Sequence, residues 1–190
     1  MRVCLRRPLV RIFSLAFFII AGAVAQAQQP KLEMHRTGVT ADDGSGWHLA
    51  VSTKGSFSIR MPIPFNDFTT YDAGSSEVTH VIGGKSSEGI KFSAVETSET
   101  AKTPADVGAI PKSFSSNPAN KVLDVSHQSK DGVETLSFSV KNSASAAHFR
   151  YIRMKGTLYI LSIEFPNAYR EIVATVKDKF FGSFKLKTKS

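Results

Sequence analysis

In the second half of the chain, apolar and polar residues change places with a period of two, and the runs are joined by turns too short to hold a helix. Leu136, Phe138 and Val140 alternate with Thr135, Ser137 and Ser139. Before them stands the turn Ser129-Lys130-Asp131-Gly132, and after them residues 147–154, the turn Lys155-Gly156 and residues 157–165. In the last run Tyr159, Leu161, Ile163 and Phe165 share one face, while Leu158 and Ile160 fall on the other. A period of two is that of a strand, and apolar residues on both faces indicate a central one. Tight links force antiparallel neighbours.

The first half carries the same grammar more faintly. Trp47, Leu49 and Val51 alternate with His48 and Ala50, and Phe57, Ile59 and Met61 alternate with Ser58 and Arg60. The link Thr53-Lys54-Gly55-Ser56 reads as a tight turn in which Gly55 tolerates a positive φ. Pro62 and Pro64 end this hairpin, because proline gives no donor to a ladder. Val78, His80 and Ile82 share a strand face near 76–83, the loop Gly83–Gly89 follows, and Ile90, Phe92 and Ala94 share the next face. Leu123 and Val125 suggest a further strand.

Two segments read as helices. Thr103 caps, Pro104 suits the first helical position and Asp106 stands where a capping box places its acid, so a short helix is expected near 104–116, weakened by Gly108 and Pro111. Pro166-Asn167 opens the second. There Ala168, Ile172, Val176 and Phe180 recur every four residues with Val173 beside them, and Gly182 is the expected stop. Strands, helix, strands and closing helix give an α+β class: an antiparallel sheet covered by helices in an α/β/α sandwich.

The start of the chain has a different character. Arg2, Arg6, Arg7 and Arg11 precede an apolar run from Ile12 to Ala25, and Ala23-Val24-Ala25 and Ala25-Gln26-Ala27 are small-x-small sites. The pattern is that of a secretory signal peptide, expected to span residues 1–27 with cleavage after Ala27, or after Ala25. The run of about 14 residues falls short of the roughly 20 a spanning helix needs. Residues 28–45, with Gln28, Gln29, Pro30, Asp42, Asp43 and Gly44, show no apolar periodicity and read as a flexible arm. Residues 46–190 read as one domain. The expected location is periplasmic or secreted.

Processing changes the chemistry available. Cys4 would be removed, and with it disulfides, thiolate nucleophiles and thiolate metal sites. The net charge of +8 falls to +4, since 24 − 4 leaves 20 basic residues against 16 acidic ones. That is ordinary for a soluble surface and is no nucleic-acid signature. The excess is local: Lys177, Lys179, Lys185, Lys187 and Lys189 crowd the C-terminus, either as a solvated tail or as a weak contact for an anionic membrane surface or acidic partner.

No catalytic constellation stands out. His35, His48, His80, His127 and His148 include no pair at metal-ligand spacing within one element. His80 and His127 fall on apolar strand faces and could meet across the sheet with Asp124 to hold zinc or copper; the alternative is hydrogen-bonded, partly buried histidines. No G-x-S-x-G occurs, and Gly44-Ser45-Gly46 is merely glycine-flanked. Gly83-Gly84-Lys85-Ser86-Ser87 joins strands instead of opening a helix, so it is a hairpin link and not a phosphate loop. Phe138, Phe149, Tyr151, Tyr159 and Phe165 could line an apolar pocket or form core. Arg150 and Arg153 lie on opposite faces of one strand, so at most one faces a given cleft.

Several residues together resemble a known family. They are Trp47 ahead of Gly55 and the run Phe57-Ser58-Ile59-Arg60-Met61-Pro62, then Arg150-Tyr151-Ile152-Arg153 before Gly156-Thr157-Leu158-Tyr159-Ile160-Leu161, and the closing Phe180-Phe181-Gly182-Ser183-Phe184-Lys185-Leu186. Their order resembles small bacterial exported proteins of the PsbP-like superfamily, named for an extrinsic subunit of photosystem II, over roughly residues 47–186. The resemblance implies an antiparallel sheet between helices and a non-enzymatic binding or assembly factor, with no catalytic or cofactor residue to carry over. The expected function is therefore an accessory protein of the cell envelope that contacts another protein or complex. The alternatives are a small-ligand or metal carrier in the same compartment and, last, a hydrolase.

Overall fold

The computed structural model describes residues 31–40, 44–72, 77–99 and 107–187. The expected signal peptide, the helix-start residues Thr103, Pro104 and Asp106, and Lys189 lie outside them.

Eleven strands and two short helices are described. The strands are β1 (Lys31–Val39), β2 (His48–Val51), β3 (Phe57–Met61), β4 (Phe65–Tyr71), β5 (Val78–Lys85), β6 (Lys91–Ser98), β7 (Lys121–Lys130), β8 (Val133–Lys141), β9 (Ser145–Met154), β10 (Thr157–Pro166) and β11 (Lys185–Leu186). The helices are α1 (Ile110–Ser115) and α2 (Arg170–Gly182), each entered through a 3₁₀ turn. Eight strands form one antiparallel sheet in the order β1-β4-β5-β6-β10-β9-β8-β7, and a second sheet runs β11-β3-β2. The central position read for 157–165 is met, since β10 pairs with both β6 and β9. The links at Asp131-Gly132 and Lys155-Gly156 are two residues long with positive φ at both positions, which suits the twist of the joined strands.

One face of the large sheet, here the inner face, is covered by two different things. The small sheet lays Ala50, Phe57, Ile59 and Met61 over it, and α2 adds Val173, Phe180 and Phe181. The opposite, outer face carries a second core under α1, where Val107 and Ile110 meet Leu136, Phe138, Tyr151 and Leu158. The antiparallel sheet is thus as expected, but the helical sandwich is only partly met. The 47–61 hairpin leaves the main sheet and stands as half of the covering layer. Over β1, β4 and β5 no described helix covers the outer face, and Leu32 and Met34 are 53% and 45% exposed there.

Residues 31–39 correct the expected arm: they form an edge strand along β4 with register shifts after Met34 and Arg36. They lack the usual signature because Glu33 and His35 point inward while Leu32 and Met34 point out. Gly55 also differs from expectation. Its φ is not positive, and what excludes a side chain is crowding, since a Cβ would lie 2.9 Å from the Phe57 ring and from Ser52 Oγ. Gly83, Gly84 and Lys85 belong to β5, and the turn is confined to Ser86–Gly89. At Gly84 a Cβ would collide with Pro64 O and press on Ile63. Because the obstacle is backbone, Gly84→Ala is expected to cost about 1–3 kcal/mol in urea unfolding, whereas Gly132→Ala meets no neighbouring atom and is penalised only through its positive φ.

Candidate functional site

The inner face of β1, β4, β5 and β6 is apolar only in part. Where the 53–56 turn of the small sheet lies over it, the sheet presents acids, hydroxyls and imidazoles. Register puts them side by side: Arg36 opposite Asp67, Thr69 opposite His80, and His80 opposite Glu96. Asp67 and Thr69 are completely buried. Asp67 Oδ2 accepts four hydrogen bonds, from Arg36 Nε at 3.1 Å and Nη2 at 2.7 Å and from Thr53 N at 2.8 Å and Oγ1 at 2.6 Å. Its Oδ1 is buried with no partner among the described residues. Arg36 also donates to Val51 O. One strand further on, Glu96 Oε2 accepts from Ser56 N at 2.6 Å and Oγ at 2.9 Å, and Ser56 Oγ lies 2.8 Å from the Tyr159 hydroxyl. Lys187 closes the turn from the other side by donating to Ser52 O and Gly55 O.

Two histidines join this network. Thr69 Oγ1 lies 2.8 Å from His35 Nε2 and 3.0 Å from His80 Nδ1. A hydroxyl has one hydrogen, so at most one ring can meet it with a lone pair and at least one must present an N–H. The tautomers of the two rings are therefore coupled. Burial pushes the His80 pKa below its ordinary value; His35 and Lys54 push the same way, while Glu96 and Asp67 oppose. Chemically the cluster is a clamp that pins the small sheet to the large one with part-buried, directional bonds. Apart from Asp67 Oδ1, its carboxylate and hydroxyl contacts described above are made within the cluster.

The residues singled out in the sequence are dispersed. His80 and His127 do not meet. Strands β6, β10, β9 and β8 stand between theirs, roughly 24 Å at about 4.8 Å per strand. They also face opposite ways, since His80 stands opposite Glu96 on the inner face and His127 opposite Leu136 on the outer. His127 pairs with Glu134 at 2.7 Å, and Asp124 occupies a bulge in β7 with φ 54°. Among the described residues no group of three or more metal-ligating side chains is gathered.

The five aromatics are likewise divided by the sheet. Phe138, Phe149 and Tyr151 pack with Phe114 on the outer face, and Tyr159 and Phe165 belong to the inner core. They are core on two sides and line no common pocket. Arg153 is held on the outer face by Glu99 at 2.9 Å and Glu134 at 3.5 Å, and Arg150 lies on the inner face against Phe181. The four described lysines of the C-terminal group make no continuous patch. Lys187 is tucked under the turn, Lys179 sits 4.4 Å over the Trp47 ring, Lys177 acts on His148, and Lys185 lines an open groove.

That groove, of about 540 Å³, runs between the outward face of the small sheet and the end of α2. Leu49, Ser58, Arg60 and Lys185 of the small sheet form one wall, and Asp178, Lys179 and Gly182 of α2 the other. Strand alternation turns Ala50, Ile59 and Met61 inward and so turns Leu49 and Arg60 out; Leu49 is 59% exposed. The even spacing of Leu49 among apolar neighbours concealed this in the sequence.

Among the described residues, no helix is long and apolar enough to cross a membrane. No protein-family profile matches the sequence, and no curated protein does. Among solved structures, the chain is similar to the solution structure of cyanobacterial PsbP (CyanoP) from Synechocystis sp. PCC 6803. The two share 14% identity with a TM-score of 0.42, over 77% of this chain and 97% of that one. At this distance the similarity transfers neither site nor activity.

Proposed function

We propose that this chain is an exported, non-enzymatic binding protein of the bacterial cell envelope, and that it docks a protein segment carrying acidic and apolar residues in the groove between the small sheet and α2. The observation that carries this reading is the composition of the groove. Leu49 offers apolar surface to solvent at 59% exposure, with Val51 beside it on the same strand face at 39%. Around them Arg60, Lys179 and Lys185 stand against the single acid Asp178, a local excess of two positive charges. Apolar surface ringed by one sign of charge is suited to a partner of opposite sign, with the charges setting encounter rate and register and the apolar contacts setting lifetime. Export is supported by the basic start, the apolar run and the two small-x-small sites of residues 1–27.

The test is a crosslinked capture from the native envelope with the tagged protein, run beside Leu49→Asp/Lys185→Glu. Both substituted side chains are exposed, so the variant is expected to unfold within about 0.5 kcal/mol of the parent per site. A partner held by the parent and lost by the variant, with weaker capture as salt rises, is the expected outcome. A partner held equally by both would place binding elsewhere, and enrichment of none would remove the reading.

A further inference from the structure

A second place on the inner face has chemistry that neither the clamp nor the groove uses. Beyond the edge of α2, strands β7, β8 and β9 present hydroxyls and two basic side chains in place of apolar residues. Ser137 lies opposite Arg150 and Ser139 opposite His148, with Ser126 opposite Ser137 one strand further out. The same register continues through Leu161 and Ile163 of β10, which are core under α2. The ledge therefore begins where the apolar cover ends.

Arg150 is the feature that needs an explanation. Its guanidinium lies 5.0 Å over the Phe181 ring, half-buried between sheet and helix. Its only hydrogen bond among the described residues is a long one, from Nε to Ser137 Oγ at 3.3 Å. The four N–H groups of its two terminal nitrogens have no acceptor among the described residues. A partly desolvated guanidinium with unused donors is costly unless an anion completes it. The neighbouring histidine is arranged in the same sense. His148 Nδ1 pairs with Ser139 Oγ at 2.8 Å and its ring packs on Phe165, so Nε2 is left without a described partner.

We infer that Arg150, His148, Ser137 and Ser139 form a binding site for an oxyanion group, phosphate or carboxylate, carried by a small molecule. The guanidinium over Phe181 supplies the planar donor pair that such groups accept, and the serine hydroxyls supply additional donors that can reorient. The field is mixed but favourable. Lys177 and Arg170 of α2 stand near His148 with Asp178, also of α2, and Asp124 of β7 opposing them; with Arg150 included, three cations face two acids. None of the four residues lines the proposed protein groove, although Asp178 of α2 borders both, and either site can stand without the other.

The experiment is a titration of the folded protein with inorganic phosphate and, separately, with acetate, following the Arg side-chain Nε–Hε and His ring resonances. A saturable shift of Arg150 and His148, at an affinity near the millimolar range expected of a single charged group, is the expected result. Saturation by phosphate alone identifies a phosphate-bearing ligand, and by acetate alone a carboxylate. Arg150→Gln is expected to abolish the shift at His148. Ser139→Ala, which leaves the guanidinium in place, is expected to weaken binding about threefold to tenfold, the value of one neutral hydrogen bond. Shifts that fail to saturate with both anions, or that persist unchanged in Arg150→Gln, overturn the inference.

Discussion

Replacing Phe180 by alanine is expected to lower the unfolding free energy by about 3–5 kcal/mol. Phe180 is completely buried on α2 and meets Phe92 of the large sheet edge-on at 5.3 Å and Phe181 at 5.4 Å. Val173, also completely buried, is one of its few companions from this helix. Phe92 is held by β6 and Phe181 by α2 itself, so the space left by Phe180 cannot close without moving the helix toward the sheet. Against a total stability of about 5–15 kcal/mol, a loss of this size brings the protein near its unfolding threshold. Ile172→Ala is the control. Ile172 is 55% exposed on the same helix, and its removal is expected to change stability by no more than about 0.5 kcal/mol. Urea unfolding distinguishes the two through the midpoint at constant slope. A Phe180→Ala change below about 1 kcal/mol would mean that α2 does not anchor the inner core.

The same helix shows how far the sequence could be read. Its existence and its end near Gly182 were legible from the recurrence of Ala168, Ile172, Val176 and Phe180. The face was not, because a strict repeat of four drifts by about 40° per turn of a helix with 3.6 residues per turn. The buried stripe follows Val173, Phe180 and Phe181, and Ile172 has rotated out to solvent. Strands β8 and β10 were legible because every second residue is apolar and buried. Strand β4 was not, although it alternates in burial as regularly as they do, since two of its buried positions are Asp67 and Thr69. Hydropathy reports burial only where burial is apolar, and the clamp lies where it is not. Its members also come from distant parts of the chain: Arg36 and Asp67 are 31 residues apart and Ser56 and Tyr159 are 103. Pairing His80 with His127 failed for a related reason. Their strand faces could be read singly, but the order that inserts four strands between them is fixed by long-range pairing that spacing does not report. Arg150 and Arg153 fared better, because opposite faces of a single strand are a local property.

Asp67→Ala is expected to cost about 2–4 kcal/mol and to free the 53–56 turn from the large sheet. The carboxylate is completely buried, and its removal strands the N–H and hydroxyl of Thr53 together with the Arg36 guanidinium. Donors left without an acceptor lose the worth of their bonds and, where water cannot reach them, their desolvation cost as well; Thr53 is exposed, so for it the second part is small. Arg36 is 36% exposed and can recover water, so the loss falls below that of a fully enclosed ion pair. Thr53→Val removes one donor and keeps the backbone bond, and is expected to cost about 1 kcal/mol. In the Asp67→Ala background the Thr53 hydroxyl has no bond to Asp67 left to lose. The two effects should therefore fall short of adding, by about 1 kcal/mol. Hydrogen exchange gives the local readout: the Thr53 amide should lose protection in Asp67→Ala, while amides of β10 keep theirs relative to the lowered global stability. Additive effects of the two substitutions, or a Thr53 amide that stays protected without Asp67, would mean that apolar contacts through Phe57 and Ile59 hold the small sheet in place and that the buried acid serves some other end.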